Sequence, residues 1–262
     1  MRALATAATG MAAQQMNVEV ISNNIANMNT IGFKAQRAEF QDLLYQNVER
    51  MGAQSSDTGT IVPTGVQVGS GVKPDAVYRI TGQGSLTQTS NPLDLAVNGA
   101  GYFQVQMPSG ETAYTRAGNF SVSATGQIVT SDGFTVLPQI TIPQTATSVS
   151  ISASGLVQVT IPGQTAAQTV GQMQLASFFN VAGLDAQGGN LFLASSASGP
   201  AIVGSPGTSS FGTLKQGYTE ASNVDAVSEI TSLISAQRAY EMNSKVVTSA
   251  DQMLQTNSQM KQ

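Results

Sequence analysis

Apolar residues recur with a seven-residue spacing at both ends of the chain and lose it in between. Leu4, Met11, Val18 and Ile25 form one row near the N-terminus, and Ala7, Gln14, Ile21 and Met28 form a second beside it. Near the C-terminus Leu233, Tyr240, Val247 and Leu254 repeat the spacing, flanked by Ala239, Val246, Met253 and Met260. A 3-4 alternation of this kind sets apolar groups on one helical stripe, the seam of a coiled coil. The pattern predicts a helix over 3–28, closed by Asn27, Asn29 and Gly32, and a second from about 225 to the C-terminus. Ser222, Asn223 or Asp225 can cap the second, and Asp225 and Glu229 complement its positive end. Phe33–Tyr45 reads as a further short helix with Phe40, Leu43 and Leu44 on one side.

From Gly52 to Pro74 glycines and prolines exclude helix, while Ile61, Val62, Val66 and Val68 favour extended backbone. This predicts an extended arm or hairpin. Residues 75–212 read as β-rich. Asn98-Gly99 and Asp132-Gly133 each stand between apolar runs, a hairpin signal. Residues 145–170 alternate weakly, as strands of a second β module or an insertion would, and Gln172–Asn180 reads as a buried strand. The expected fold is α+β: a discontinuous helical domain (1–45 with 216–262) whose helices pair as a coiled coil, an arm (46–74), and a β-rich domain (75–215).

Composition narrows the chemistry. The 262 residues contain no Cys, His or Trp, which removes thiol nucleophiles, disulfides, imidazole acid–base catalysis and the common zinc sets. A net charge of −4 argues against nucleic acid as a partner. Of the charged side chains only nine fall in 51–214, so repulsion between copies is weak and self-association is favoured. No run approaches the roughly 20 apolar residues of a membrane span. Gln14, Gln15 and Asn17 interrupt any signal-peptide core, so export without a cleaved signal is expected.

Enzymatic patterns are weak. Ser70-Gly71-Val72-Lys73 matches the Ser-x-x-Lys of wall-acting serine enzymes, which needs its Ser at a helix start, yet Gly71 and Pro74 oppose helix. Asp94, Asp132 and Asp185 sit in turn-like settings with nothing to pair them. Gly69-Ser70-Gly71 and Gly82-Gln83-Gly84 lack the strand–helix context of phosphate loops. Arg238, Glu241 and Lys245 read as a solvated helix face.

Four longer blocks carry a resemblance. The string Ser22-Asn23-Asn24-Ile25-Ala26-Asn27-Met28-Asn29-Thr30-Ile31-Gly32-Phe33-Lys34 is similar to the N-terminal signature of bacterial flagellar rod and hook axial proteins. Glu220-Ala221-Ser222-Asn223-Val224-Asp225, followed by Ala236-Gln237-Arg238-Ala239-Tyr240-Glu241, resembles their C-terminal signature. Gln83–Leu86 with Leu95–Phe103, and Tyr114–Phe120, resemble core blocks of the family.

The resemblance implies a structural, non-enzymatic subunit with no cofactor. Its terminal helices would line an export channel, its β domain would lie outside, and copies would stack into a helical tube that transmits torque. Implied partners are further copies, proximal rod proteins, the hook protein, the surrounding basal-body rings and the flagellar type III export apparatus. The implied interface comprises Leu4, Met11, Val18, Ile25, Asn23, Asn24, Asn27, Gly32 and Phe33 with Leu233, Tyr240, Val247 and Leu254. The arm contributes Val62, Pro63, Val66 and Val68, and Val62–Val72 resembles one rod subtype more than others. The rivals are a proximal rod subunit and, from a different class, the wall-acting enzyme built on Ser70.

Overall fold

The computed structural model describes residues 2–49, 51, 64–163, 166–208 and 210–260. It is an α+β protein whose chain divides into two compact units: 1–25, 36–78 and 225–262 form one, and 26–35 with 79–224 form the other.

The helical unit holds α1 (Arg2–Ala26), β1 (Gln36–Asp42), β2 (Tyr45–Glu49), β3 (Val66–Gly69), β4 (Val72–Arg79) and α2 (Ala226–Gln259). Asp225 caps α2, its carboxylate accepting from the Ser228 amide at 3.0 Å. β2 pairs antiparallel with β3, so the described ends of the arm form a two-stranded ribbon. Val62 and Pro63 lie outside the described residues. The helix expected over Phe33–Tyr45 is instead β1, paired with β4. Ala38 and Phe40 are half-buried between exposed Arg37, Glu39 and Gln41, an alternation of period two that matches a strand. The buried Asn24 fixes its start: Nδ2 donates to the Gln36 carbonyl and Oδ1 accepts from the Gln36 amide, both at 2.8 Å. These two bonds give a strand edge to the last turn of a helix.

The β-rich unit runs through β5 (Leu86–Gln88), β6 (Leu95–Asn98), β7 (Tyr102–Gln106), β8 (Thr112–Thr115), β9 (Ser121–Val122), β10 (Ile128–Val129), β11 (Thr135–Leu137) and β12 (Ser148–Ile151). It continues with β13 (Leu156–Thr160), β14 (Gln168–Gln172), β15 (Leu175–Ser177), β16 (Asp185–Gly188), β17 (Leu191–Leu193), β18 (Ile202–Gly204), β19 (Thr213–Gln216) and β20 (Tyr218–Glu220). The main sheet follows the order β16-β17-β8-β7-β11-β10-β9, with β15 joining β7 to β18.

Asp132-Gly133 makes the expected hairpin: β10 pairs with β11, and the turn is closed by Gly133 donating to Thr130. Asn98-Gly99 does not. β6 pairs along its length with β19, from the far end of the sequence, and β7 pairs with β8, β11 and β15. Gly99 and Gly101 both take positive φ (109° and 134°), a backbone conformation that glycine adopts without strain.

The strands β12, β13 and β14 form their own three-stranded sheet, but not a separate module. Ile151, Val157 and Val159 pack into the same core as Leu95, Phe103, Val105, Phe120, Met173 and Leu175. Phe103 and Phe120 meet edge to face at 5.0 Å. A second cluster holds Tyr102, Tyr114, Phe178 and Phe192, again in edge-to-face contacts. Because one core spans both sheets, truncation of the fully buried Val157 should be felt by all of it. Val157→Ala is expected to cost about 2 kcal/mol. The near-UV signal of Tyr102 and Tyr114 should shift to lower denaturant in one transition with the far-UV signal.

Candidate assembly surface

α1 buries part of its second row and some positions beside it. Ala7, Ala13, Val20, Ile21 and Asn24 are buried, whereas Leu4, Met11, Val18 and Ile25 are half-buried. Gly10 stands against Asn243 of α2, and a Cβ there would come within 2.9 Å of its Nδ2, so the two helices approach closely at this point. α2 buries Ala236 and Ala250 and half-buries Leu233 and Val247, but leaves Tyr240 and Leu254 exposed. Beside them Val227, Ile230, Ile234, Met242, Val246, Met253 and Met260 are also exposed. Much of the apolar surface of this 34-residue helix is exposed among the described residues of the chain. Val66 and Val68 of β3 are exposed as well. Ser70 lies between β3 and β4, and Lys73 is in β4, so the helix start that the serine-enzyme pattern needs is missing. Arg238, Glu241 and Lys245 are exposed, as a solvated face requires.

The signature residues of both chain ends meet inside the β-rich unit. Gly32, at φ 72°, donates its amide to the Glu220 carbonyl at 2.8 Å. A Cβ on Gly32 would lie 2.7 Å from the Ala117 amide nitrogen, so both the backbone conformation and the space require glycine. Phe33 is half-buried and donates its amide to Thr30, closing the turn. Asn27 Oδ1 accepts from the Thr30 hydroxyl at 3.1 Å, while Asn23 is exposed on α1. Asn223 reaches in three directions: Oδ1 accepts from the Ala35 amide at 2.7 Å, and Nδ2 donates to the Ile80 and Gly82 carbonyls at 3.0 Å.

At the centre is a buried cluster that no sequence pattern announced. The Glu220 side chain is completely buried. Its Oε1 accepts from Lys34 Nζ at 2.6 Å and from the Gly84 amide at 3.0 Å. Its Oε2 lies 2.9 Å from Arg116 Nε, a charge contact off the line of a hydrogen bond. One carboxylate cannot neutralise two cations. The surplus positive charge is spread over carbonyls: Lys34 donates to Gly82 at 2.8 Å, and Arg116 Nη1 to Gly99 and Gly101 at 2.9 and 2.5 Å. The Arg116 guanidinium also faces the Tyr102 ring at 5.7 Å. Burial pushes the Lys34 ammonium below the usual lysine range, opposed by Glu220 and reinforced by Arg116. Gly84 is placed by the same packing, since a Cβ there would fall 1.9 Å from the Ala221 carbonyl oxygen. The three charges are 186 residues apart at their widest, which is why spacing could not pair them.

Three family models match the chain. The model described as flagella basal body rod protein covers 4–34, the flagellar hook protein FlgE/F/G D1 domain covers 96–159, and the flagellar basal body rod FlgEFG protein C-terminal model covers 215–260. The flagellar basal-body rod protein FlgG of Caulobacter vibrioides is 69% identical over 261 residues, covering 100% of both chains. The proteins of the same name from Agrobacterium fabrum and Borreliella burgdorferi are 52% and 45% identical, each over 97% of this chain and over 97% and 96% of their own.

Removing the shared carboxylate leaves two buried cations facing each other. Glu220→Gln is expected to cost about 3–5 kcal/mol of stability. Adding Lys34→Met should restore part of it, read as a coupling in a double-mutant cycle of denaturant midpoints. The pH dependence has a defined sign. With the folded Lys34 value lowered, the unfolded chain binds more protons between that value and 10.5, so this group's contribution to stability rises with pH across that window.

Proposed function

The chain belongs to the family of flagellar rod and hook axial proteins, and on that premise we propose that it is a subunit of the distal part of the basal-body rod. Copies stack helically into a tube that carries torque to the hook and encloses the export channel. Subunits reach the growing tip through the flagellar type III export apparatus. Proximal rod proteins meet the tube at its base, the hook protein at its tip, and basal-body rings around it.

The observation that carries this reading is the uncovered apolar face of α2, on a helix whose buried residues are alanines. Completing the burial of one half-exposed Val, Leu, Ile or Met returns about 1 kcal/mol. A long helix paired at few points is marginal by itself and is stabilised by further packing. Neighbouring copies supply that packing when terminal helices bundle as a coiled coil, with Leu4, Met11, Val18 and Ile25 set against Leu233, Tyr240, Val247 and Leu254. Asn243, beside Gly10, is a polar group at the seam of the kind that fixes register. The Val66 and Val68 face of the arm, continued by Val62 and Pro63, bridges adjacent subunits and stiffens the shaft.

Leu254→Asp places a charge on the α2 face without disturbing the β-rich core. The variant is expected to stay monomeric at concentrations where the parent protein sediments as filaments, with the near-UV melting of the β-rich unit unchanged. Filaments formed at the parent concentration would contradict the role given to this face.

A further inference from the structure

Asn98-Gly99 is the single Asn-Gly pair of the chain, and both residues are exposed to water. A glycine amide that follows asparagine meets no Cβ on its way to the asparagine side chain, so cyclisation is easiest at this sequence. In that reaction the Gly99 nitrogen bonds to Asn98 Cγ and the Cγ–Nδ2 bond breaks. Ammonia leaves, carrying the proton that Gly99 gave up. Water then opens the succinimide at either carbonyl, giving aspartate or isoaspartate.

The fold opposes each part of this step. The Gly99 amide, which must release its proton to attack, donates to Gln83 Oε1 at 2.9 Å. Gln83 Nε2 donates to the Val97 carbonyl at 3.0 Å, so one side chain grips the backbone on both sides of Asn98. The Gly99 carbonyl accepts from Arg116 Nη1 at 2.9 Å. Asn98 itself pairs with Thr213, and a Cβ on Gly212 would fall 2.4 Å from the Asn98 carbonyl oxygen. The peptide that would have to rotate is held at every side.

We propose that Asn98-Gly99 is a deamidation site that the Gln83 clamp holds shut in the folded chain. Attack needs a peptide that can rotate and an amide that can release its proton, and strand pairing and clamp deny both. The unfolded chain has neither restraint, so it ages at Asn98 while the folded chain does not. The damage would reach the buried cluster. Isoaspartate lengthens the main chain between Asn98 and Gly99 and displaces the Gly99 carbonyl from Arg116, the cation beside Glu220. Gln83 is thus a positioning residue for the backbone, with a role separate from the α2 surface.

The test follows deamidation at Asn98 by peptide mass spectrometry during incubation at mildly alkaline pH. Full-length parent, Gln83→Ala, Gln83→Glu and Val157→Ala are compared in buffer, and the parent also in guanidinium. Gln83→Ala should react about fivefold faster than the parent while its near-UV spectrum stays native, the factor expected for a lost hydrogen bond. Gln83→Glu, which keeps an acceptor for the Gly99 amide, should stay near the parent rate. Val157→Ala, which weakens the core elsewhere, should also match the parent, and the unfolded parent should react fastest. Equal rates for Gln83→Ala and the parent would overturn the clamp. Equal acceleration by Val157→Ala would assign the effect to general unfolding and overturn it as well. A folded parent that deamidates as fast as the unfolded one would show that the site is not shut at all.

Discussion

The Glu220 carboxylate is the point on which the β-rich unit depends. It is completely buried, yet it answers Lys34 from the segment that follows α1, Arg116 from just after β8, and the Gly84 amide from the approach to β5. A buried charge is tolerated only where its partners are fixed, and here the partners come from three distant parts of the chain. The cluster therefore ties the place where the chain leaves α1 to the place where it enters α2. Gly32 and Asn223 do the same through backbone bonds, and the space at Gly32 and Gly84 leaves no room for a side chain. Removing the carboxylate from the cluster leaves unpaired charge in the core.

The helices are built on the opposite principle. Their buried contacts are mostly small residues, and the larger apolar groups stay half-buried or exposed. Apolar surface left exposed in this way contributes little to the stability of the chain ends. The scarcity of charge in the central sequence works in the same direction, because closely stacked copies repel little. A β-rich unit with a closed core thus stands beside helices that keep much of their apolar surface exposed.

The helical ends, a cap among Ser222, Asn223 and Asp225, the Asp132-Gly133 hairpin and the β-rich middle were all legible, because each depends on neighbours in sequence. The failures share one cause, which is pairing at long range. Arg37, Glu39 and Gln41 alternate with Ala38 and Phe40, so a strand signal was present in 36–42, but pairing with β4 and the bonds from Asn24 decided between strand and helix. At Asn98-Gly99 the turn chemistry was sound, yet β19 offered β6 a full-length partner from over a hundred residues away. The sheet of 148–172 read as an addition because its alternation is weak, and only packing revealed Val157 and Val159 in the main core. Lys34, Arg116 and Glu220 each stood inside a recognisable block, but nothing local says that three blocks share one carboxylate.

Amide hydrogen exchange on the soluble full-length monomer, resolved by peptide, tests the central claim most directly. Slow exchange is expected at the amides bonded around Glu220 (Gly32, Gly84 and Ala221), as slow as in β6 and β7, with fast exchange along the outer turns of both helices. Amides at 32, 84 and 221 that exchange as quickly as the helix ends, or helices protected as strongly as the sheet, would contradict an ordered clamp carrying assembly-dependent arms.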